Sequence, residues 1–511
     1  MNTPLRRVGL AMLAMIILLL ANATYIQIVK ADDYRSDSRN NRVLYEEYAR
    51  QRGRIQIQSQ YGGQIIANVS PTNDRLRYRR QYPNPLVYAP VTGFYSVRYG
   101  ATGLERAEDS ILNGSDDRLF VRRLSDLITG RDPRGGNVVV TINPQAQQAA
   151  YDALTAKDFN GAVVALRPQT GEILAMVSTP SFDPNTLAAH DAEDQEKAYN
   201  QVRDANAPRK PLLNRAIAEN YFPGSTFKLV VAAAALEDGK DKNTQLTGAN
   251  GINVINGQPC QAGANESTCL ANFGNKTCGN SGGGNVSMET ALQFSCNTAF
   301  AQLAHDLGED KIREQARRFG IGEADLTIPM PVVQSCIGPR TGGNCLNVVD
   351  GPALYQTGIG QRDVRLTAMQ NAEIVATIAN GGERMRPQLI NQVLAPDLDT
   401  ISSLETDRVD RAMSERNAAT LRDMMKLSEE HTVGGTPNNN PVIASKTGTA
   451  ETGSDPKNTP PFAWYVAFAP ADQPKIAVAV VVESKDEAAT GGRLSASIGR
   501  ATIRAALAGG I

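Results

Sequence analysis

The chain has 511 residues, enough for two or three domains, and 41% hydrophobic residues, enough to bury real cores. A formal net charge of -1 gives no electrostatic reason for a nucleic-acid partner. Six cysteines, three histidines (His190, His305, His431) and no C-x-x-C or H-E-x-x-H pattern argue against a metal centre, and no cofactor is expected.

In chain order, Arg6 and Arg7 precede an apolar stretch, Val8 to Leu20, that continues with few polar breaks to Val29. Ala21-Asn22-Ala23 resembles a signal-peptide cleavage site, but the apolar run extends past it through Tyr25, Ile26, Ile28 and Val29, which favours a retained membrane anchor. Residues 1–30 are therefore read as a cytoplasmic tail and single anchor, with everything after them exported. In an oxidising compartment the cysteines can form disulfides. Cys336 and Cys345 are close enough in sequence to pair, and sequence does not choose among the complete pairings.

Residues 31–140 are polar and arginine-rich, with alternating runs such as Arg54 to Gln58 that predict strands and with turns at Gly62-Gly63 and Pro83-Asn84-Pro85. This predicts a small β-rich module, with a plain spacer as the alternative to a binding role. From residue 141 to 511 the pattern predicts a larger mixed domain. Val138 to Ile142 reads as a buried strand leading into it, followed by a helical pattern through Ala156. Two strands follow at 161–166 and 172–177, and two more at 464–469 and 476–482. Helical patterns cover 225–238, 287–306, 365–380 and 414–430. Strands at both ends with helices between predict one antiparallel sheet covered by helices, an α+β fold.

Three segments could carry chemistry. Pro223-Gly224-Ser225-Thr226-Phe227-Lys228 opens an almost wholly apolar helix, so Ser225 and Lys228 lie one turn apart on one face. A serine needs a base to become a nucleophile, and burial among Val and Ala depresses a lysine pKa towards that use. Alone, Ser-x-x-Lys also fits a capping serine and a surface lysine; the apolar helix around the lysine weighs against that. Ser295-Cys296-Asn297 taken singly fits a loop. Ser445-Lys446-Thr447-Gly448-Thr449 ends an apolar β run, and taken singly fits an edge strand guarded by a lysine.

In order, Ser-x-x-Lys, Ser-x-Asn and Lys-Thr-Gly resemble the signature of penicillin-binding proteins and serine β-lactamases. The likeness covers nearly the whole chain after the anchor. Arg52-Gly53-Arg54-Ile55 and Gly103-Leu104-Glu105 resemble the two hallmarks of the N-terminal module of class B penicillin-binding proteins. Residues 168–176, Pro180 to Asn185, Asn214-Arg215-Ala216, Gly358 to Gln361 and Ala379 to Gly382 fit the transpeptidase domain. The short module is most similar to the A type of high-GC Gram-positive bacteria. Gln56-Ile57-Gln58 departs from the usual continuation of the first hallmark.

The resemblance implies a penicillin-binding, β-lactamase-like transpeptidase domain behind a pedestal or dimerisation-like module. It implies a serine D-Ala-D-Ala transpeptidase that cross-links peptidoglycan stem peptides and is acylated by β-lactams. Ser225 would form the acyl-enzyme, Lys228 would be the base and Ser295 would relay the proton. Asn297 would hold the substrate amide. Lys446, Thr447, Gly448 and Thr449 would bind the substrate carboxylate and complete the oxyanion hole, with no metal. No glycan-polymerising domain fits before the transpeptidase, so a membrane glycan polymerase is the implied partner.

Two rival readings stay open: a D,D-carboxypeptidase or β-lactamase with water as acceptor, and a non-catalytic penicillin sensor or scaffold. Gly279 to Gly283 matches a Gly-x-Ser-x-Gly elbow but lacks the strand before it. The loops Val433 to Pro441 and Glu451 to Pro461 are expected to form a mobile rim over the cleft.

Overall fold

The computed structural model describes residues 2–30, 45, 47–120, 128–130, 134–203, 209–261, 268–339, 345, 351–437, 440–452, 459–486 and 489–511. The N-terminal apolar run forms the helix Asn2–Thr24, continued by Tyr25–Val29. Within it Arg6–Ile28, 23 residues, is long and apolar enough to cross a membrane, and none of it is buried against the rest of the protein. At ~1.5 Å per residue this is about 34 Å, matching a hydrocarbon core of about 30 Å. It fits a single-pass anchor.

The expected strand around Arg54 to Gln58 is Ile55–Ile57, and the two glycine-containing hallmarks meet beside it. A Cβ on Gly53 would sit 1.6 Å from the Gly136 carbonyl oxygen, so only glycine permits this approach. Arg52 Nε lies 2.6 Å from Glu105 Oε2, and Arg80 Nε lies 2.7 Å from the other oxygen. Burial alone would push the Glu105 carboxyl up, but the Arg80 and Arg52 charges and hydrogen bonds hold it below its usual range. The module also contains the short helices Pro85–Thr92, Gly103–Ala107 and Asp109–Leu112. Pro85, expected as part of a turn, starts the first of these at a position where its missing N–H costs nothing.

The module's sheet is not its own. Ile55–Ile57 pairs antiparallel with Ile65–Pro71 and parallel with Asn137–Val140, and the latter pairs with Ile390–Leu394, far along the chain. Tyr78–Gln81 and Thr400–Ser403 close the two edges of this six-stranded sheet. Gln58 Nε2 adds a hydrogen bond of 3.2 Å to Glu172 Oε1, so the residue that departs from the hallmark pattern ties the module to the larger domain.

The larger domain is built on a five-stranded antiparallel sheet in the spatial order Ala444–Ala450, Phe462–Ala469, Ile476–Glu483, Asn160–Leu166, Ile173–Thr179. Strands from the two ends of the domain thus share one antiparallel sheet, as the pattern predicted, with Ile476–Glu483 beside Asn160–Leu166. The three central strands are buried along nearly their whole length, which is why their sequences are continuous apolar runs. Pro144–Thr155 and Ala496–Ala508 pack on each other and on the sheet, and Ala368–Ala379 packs on strands Ile476–Glu483 and Asn160–Leu166. Ala444–Ala450 is an edge strand, and beside it stand the nucleophile-motif turn Gly224–Phe227 and the helix Lys228–Glu237.

All six cysteines pair: Cys260 with Cys269, Cys278 with Cys296, and Cys336 with Cys345. The last of these is the pairing its short spacing allowed. Of the two loops expected as a rim, residues 438–439 and 453–458 lie outside the described residues. Arg500 Nη1 donates to the Val433 carbonyl at 2.8 Å, and Thr452 Oγ1 donates to the Pro460 carbonyl at 2.9 Å.

Candidate active site

Ser225 lies in a tight helical turn, Gly224–Phe227, that runs directly into the helix Lys228–Glu237. This turn is held against the edge strand by missing side chains. A Cβ on Gly448 would lie 2.7 Å from the Pro223 carbonyl oxygen, and one on Gly360 would lie 2.1 Å from that of Gly224. Trp464 Nε1 donates to the Phe222 carbonyl at 2.8 Å, fixing the approach to the turn.

Strand alternation puts Lys446 and Gly448 on the sheet face towards that turn and Ser445 on the opposite face. Lys228 and Lys446 are both fully buried. Lys228 Nζ donates to the Ser295 carbonyl at 2.7 Å and to Asn297 Oδ1 at 2.8 Å, with Ser295 Oγ at 3.5 Å. Lys446 Nζ donates to Ser295 Oγ at 2.7 Å and to its neighbour's carbonyl, Thr447 O, at 2.9 Å. Ser295 Oγ therefore bridges the two amines. Desolvation, and then the Lys446 charge, push Lys228 well below the usual lysine value, and desolvation pushes Lys446 down to about 7.

A neutral lysine has two N–H donors and one lone pair. The Ser295 carbonyl and Asn297 Oδ1 take two donors, so loss of one proton leaves a lone pair, with Ser295 Oγ as the third polar contact at 3.5 Å and Ser225 one turn away. Ser225 is partly accessible, and its hydroxyl makes no hydrogen bond among the described residues. Ser295 adopts φ 57°, a left-handed conformation that non-glycine residues avoid. It therefore separates the short helix Met288–Gln293 from the helix Asn297–Leu307, where sequence periodicity predicted one helix over 287–306. Such backbone strain concentrates at functional sites.

The structure thus gathers Ser225, Lys228, Ser295, Asn297 and Lys446 at one place. Gly448 abuts the turn that carries Ser225. Thr447 and Thr449 are half-buried on the same edge strand, and the Gly491 N–H donates to Thr449 Oγ1 at 3.3 Å. The Gly279–Gly283 segment stands apart: Ser281 Oγ donates to the Gly248 carbonyl, and no strand–turn–helix elbow surrounds it. His431 packs at a tilt against Phe294, and His305 stacks on Tyr355.

One supporting residue escaped the sequence reading. Glu429 accepts from Ser445 Oγ, from Tyr465 OH at 3.0 Å and from Arg500 Nε at 2.7 Å, pinning the strand residue next to Lys446 from behind. A signal was present. Leu421, Met425 and Glu429 continue one buried stripe of the helix Glu415–His431, so the carboxylate sits where an apolar residue is expected.

A partly accessible serine one turn from a buried lysine beside a sheet edge, the lysine bridged to a second lysine by a second serine, is the site of a serine acyltransferase. The family profile for the penicillin binding protein transpeptidase domain matches residues 161–504, and that for the penicillin binding protein A dimerisation domain matches residues 52–138. The peptidoglycan D,D-transpeptidase PbpA of Mycolicibacterium smegmatis is 52% identical over 512 residues, covering 99% of this chain and 99% of that protein. Its counterpart from Mycobacterium tuberculosis is 51% identical, with 100% of both chains covered. The structure of penicillin-binding protein A from M. tuberculosis as a ceftriaxone acyl-enzyme complex superposes with a TM-score of 0.83 at 50% identity. It covers 91% of this chain and 100% of that one. The chain belongs to the penicillin-binding protein transpeptidase family. It is a serine acyltransferase of the D,D-transpeptidase class.

Proposed function

We propose that this protein cross-links peptidoglycan stem peptides outside the membrane through an acyl-enzyme on Ser225. The observation that carries this reading is the placement of Lys228: fully buried one helical turn from Ser225 and linked to Lys446 through Ser295 Oγ, its neutral amine can take the Ser225 proton. Ser225 Oγ attacks the carbonyl carbon of the penultimate D-Ala, and its proton passes to Lys228. The D-Ala–D-Ala amide C–N bond breaks. Ser295, hydrogen-bonded to Lys446 and within reach of Lys228, delivers a proton to the departing amine. An acceptor amine then attacks the ester and regenerates Ser225. A β-lactam enters by the same first step, its amide opening onto Ser225 while the leaving nitrogen stays tethered.

Asn297 holds the substrate amide. Lys446, with Thr447, Gly448 and Thr449 of the edge strand, binds the terminal carboxylate. The N–H groups of Ser225 and Thr449 form the oxyanion hole. The Arg6–Ile28 helix anchors the enzyme with its catalytic part extracytoplasmic. Residues 52–138 are occupied by the module, which carries no polymerising domain, so glycan strands come from a membrane glycan polymerase acting as partner.

The test is intact-mass spectrometry of the detergent-solubilised full chain after exposure to a fluorescent penicillin, with Ser225→Ala alongside. A stable adduct on the wild type alone is expected. Rapid release of hydrolysed penicillin would favour a β-lactamase instead. A folded wild type that stays unlabelled would leave the scaffold reading.

A further inference from the structure

Asn297 occupies the first turn of the helix Asn297–Leu307, yet the residue in the N-cap position, Cys296, makes no side-chain cap. Its sulfur is bonded to Cys278. The exposed N–H groups of a helix start need an acceptor from somewhere. Here it comes from Asn272, 25 residues upstream. Asn272 Oδ1 accepts from the Asn297 N–H at 2.7 Å, the Thr298 N–H at 3.0 Å and Thr298 Oγ1 at 3.3 Å. Its Nδ2 donates to the carbonyls of Ala249 and Lys276, each at 3.0 Å. The side chain is 7% exposed and both ends are fully engaged.

The residue before it grips the other end of Asn297. The Ala271 carbonyl accepts from Asn297 Nδ2 at 3.0 Å, and Lys228 Nζ donates to Asn297 Oδ1 at 2.8 Å. A carbonyl can only accept and this amine hydrogen bond must end on an oxygen, so the two contacts admit one orientation of the Asn297 amide. The segment Ala271-Asn272 thus fixes both the backbone and the side-chain face of Asn297.

We infer that Asn272 is a positioning residue for acyl transfer: it caps the Asn297 helix from outside and, with the Ala271 carbonyl, sets the oxygen that Asn297 presents to Lys228. This rests on the roles proposed above for Ser225, Lys228 and Asn297. The groups around Lys228 make the effect readable by pH. Lys446, from the edge strand, is the charged group acting on it, while Ser295, Asn297 and the Phe300 ring at 5.8 Å are uncharged. A carboxylate introduced at position 272 becomes a new charge, separated from Lys228 by one side chain.

The experiment measures the second-order acylation rate of the full chain by a fluorescent penicillin across pH 5 to 10, with melting temperature recorded in parallel. Asn272→Ala is expected to slow acylation by about 10- to 100-fold, the loss that misplacement of a reacting group by about 1 Å produces. Asn272→Asp keeps the acceptor for the helix N–H groups and suits the positive helix end, while losing the Nδ2 donor to the Ala249 and Lys276 carbonyls. It is expected to recover the rate to within about threefold of wild type at high pH, because the cap is retained, while the rising limb moves to higher pH. Asn272→Ala acylated at the wild-type rate overturns the inference. So does Asn272→Asp that stays slow at every pH, since that is the behaviour of a loop-stabilising residue. If Asn272→Ala does not fold, Asn272→Asp decides by the same two readings. A wild type that is not acylated overturns the reading of the site and this inference with it; only an acylated wild type isolates the role of Asn272.

Discussion

Two lysines buried side by side cannot both hold their protons as easily as in water. Lys228 yields first, pressed by desolvation and by Lys446. The acylation rate should therefore rise with pH as Lys228 becomes neutral. In the empty site it should fall again as Lys446 loses its charge near about 7. The two limbs belong to the coupled pair rather than to either amine alone. Lys446→Ala removes the like charge, so the Lys228 pKa rises and the rising limb moves to higher pH. A rate–pH profile of that variant with its rising limb in the wild-type position would show that the amines do not sense each other.

Glu105 gives a second prediction for a single side chain. It is fully buried between Arg52 and Arg80. Glu105→Gln leaves Arg80 without its charge partner and Arg52 with Asp109 alone, and should destabilise the protein by about 3–5 kcal/mol in urea unfolding. Because the folded-state pKa of Glu105 is depressed, its contribution is present above the unfolded value near 4.5 and fades as pH falls through the folded one. The variant should accordingly lose part of the acid-side slope of stability. Residues of this kind were legible in proportion to how badly they fit their surroundings. Lys228 stood out as a charge inside an apolar helix, whereas Asn272 lies in a stretch rich in glycine and asparagine, where one more asparagine carries no contrast. Its partner Asn297 is 25 residues away, beyond any local pattern.

The elements around the site show where periodicity stops being informative. The patterns over 365–380 and 414–430 correspond to helices Ala368–Ala379, which is buried on all sides, and Glu415–His431, which buries a stripe that repeats every turn. The pattern over 287–306 hides a break, because the left-handed Ser295 replaces what a glycine or proline would have announced. The break is held by the Cys278–Cys296 bond, which closes a loop of sequence separation 18. Replacing both cysteines by serine should lower stability by about 3 kcal/mol on the chain-entropy estimate. It should also slow acylation, because Ser295 and Asn297 flank the lost tether. Thermal unfolding and the penicillin rate together check this, and an unchanged rate beside a lowered melting temperature would confine the bond to a structural role.

On the scale of the whole molecule, the five-stranded sheet was legible because four of its strands are largely apolar runs at the two ends of the domain. The six-stranded sheet was not. Ile390–Leu394 is short and half polar, and nothing in it advertises Asn137–Val140 as its neighbour. That pairing makes a test of domain independence. A soluble fragment beginning at residue 141 removes Ile55–Ile57 and Asn137–Val140 and uncovers the backbone of Ile390–Leu394. It should aggregate or melt well below a fragment beginning near residue 47, as light scattering and thermal melts would read, because an unpaired strand edge recruits other chains.

The same shared sheet binds the histories of two stretches of sequence. A substitution at Val138 or Val139 changes what Val393 or Gln392 must pack and pair against, although more than 250 positions separate them. Drift in the N-terminal module is then answered within residues 390–403 rather than absorbed locally. A module borrowed from a distant relative would carry half an interface, needing its matching strands grafted into the larger domain before the hybrid could settle.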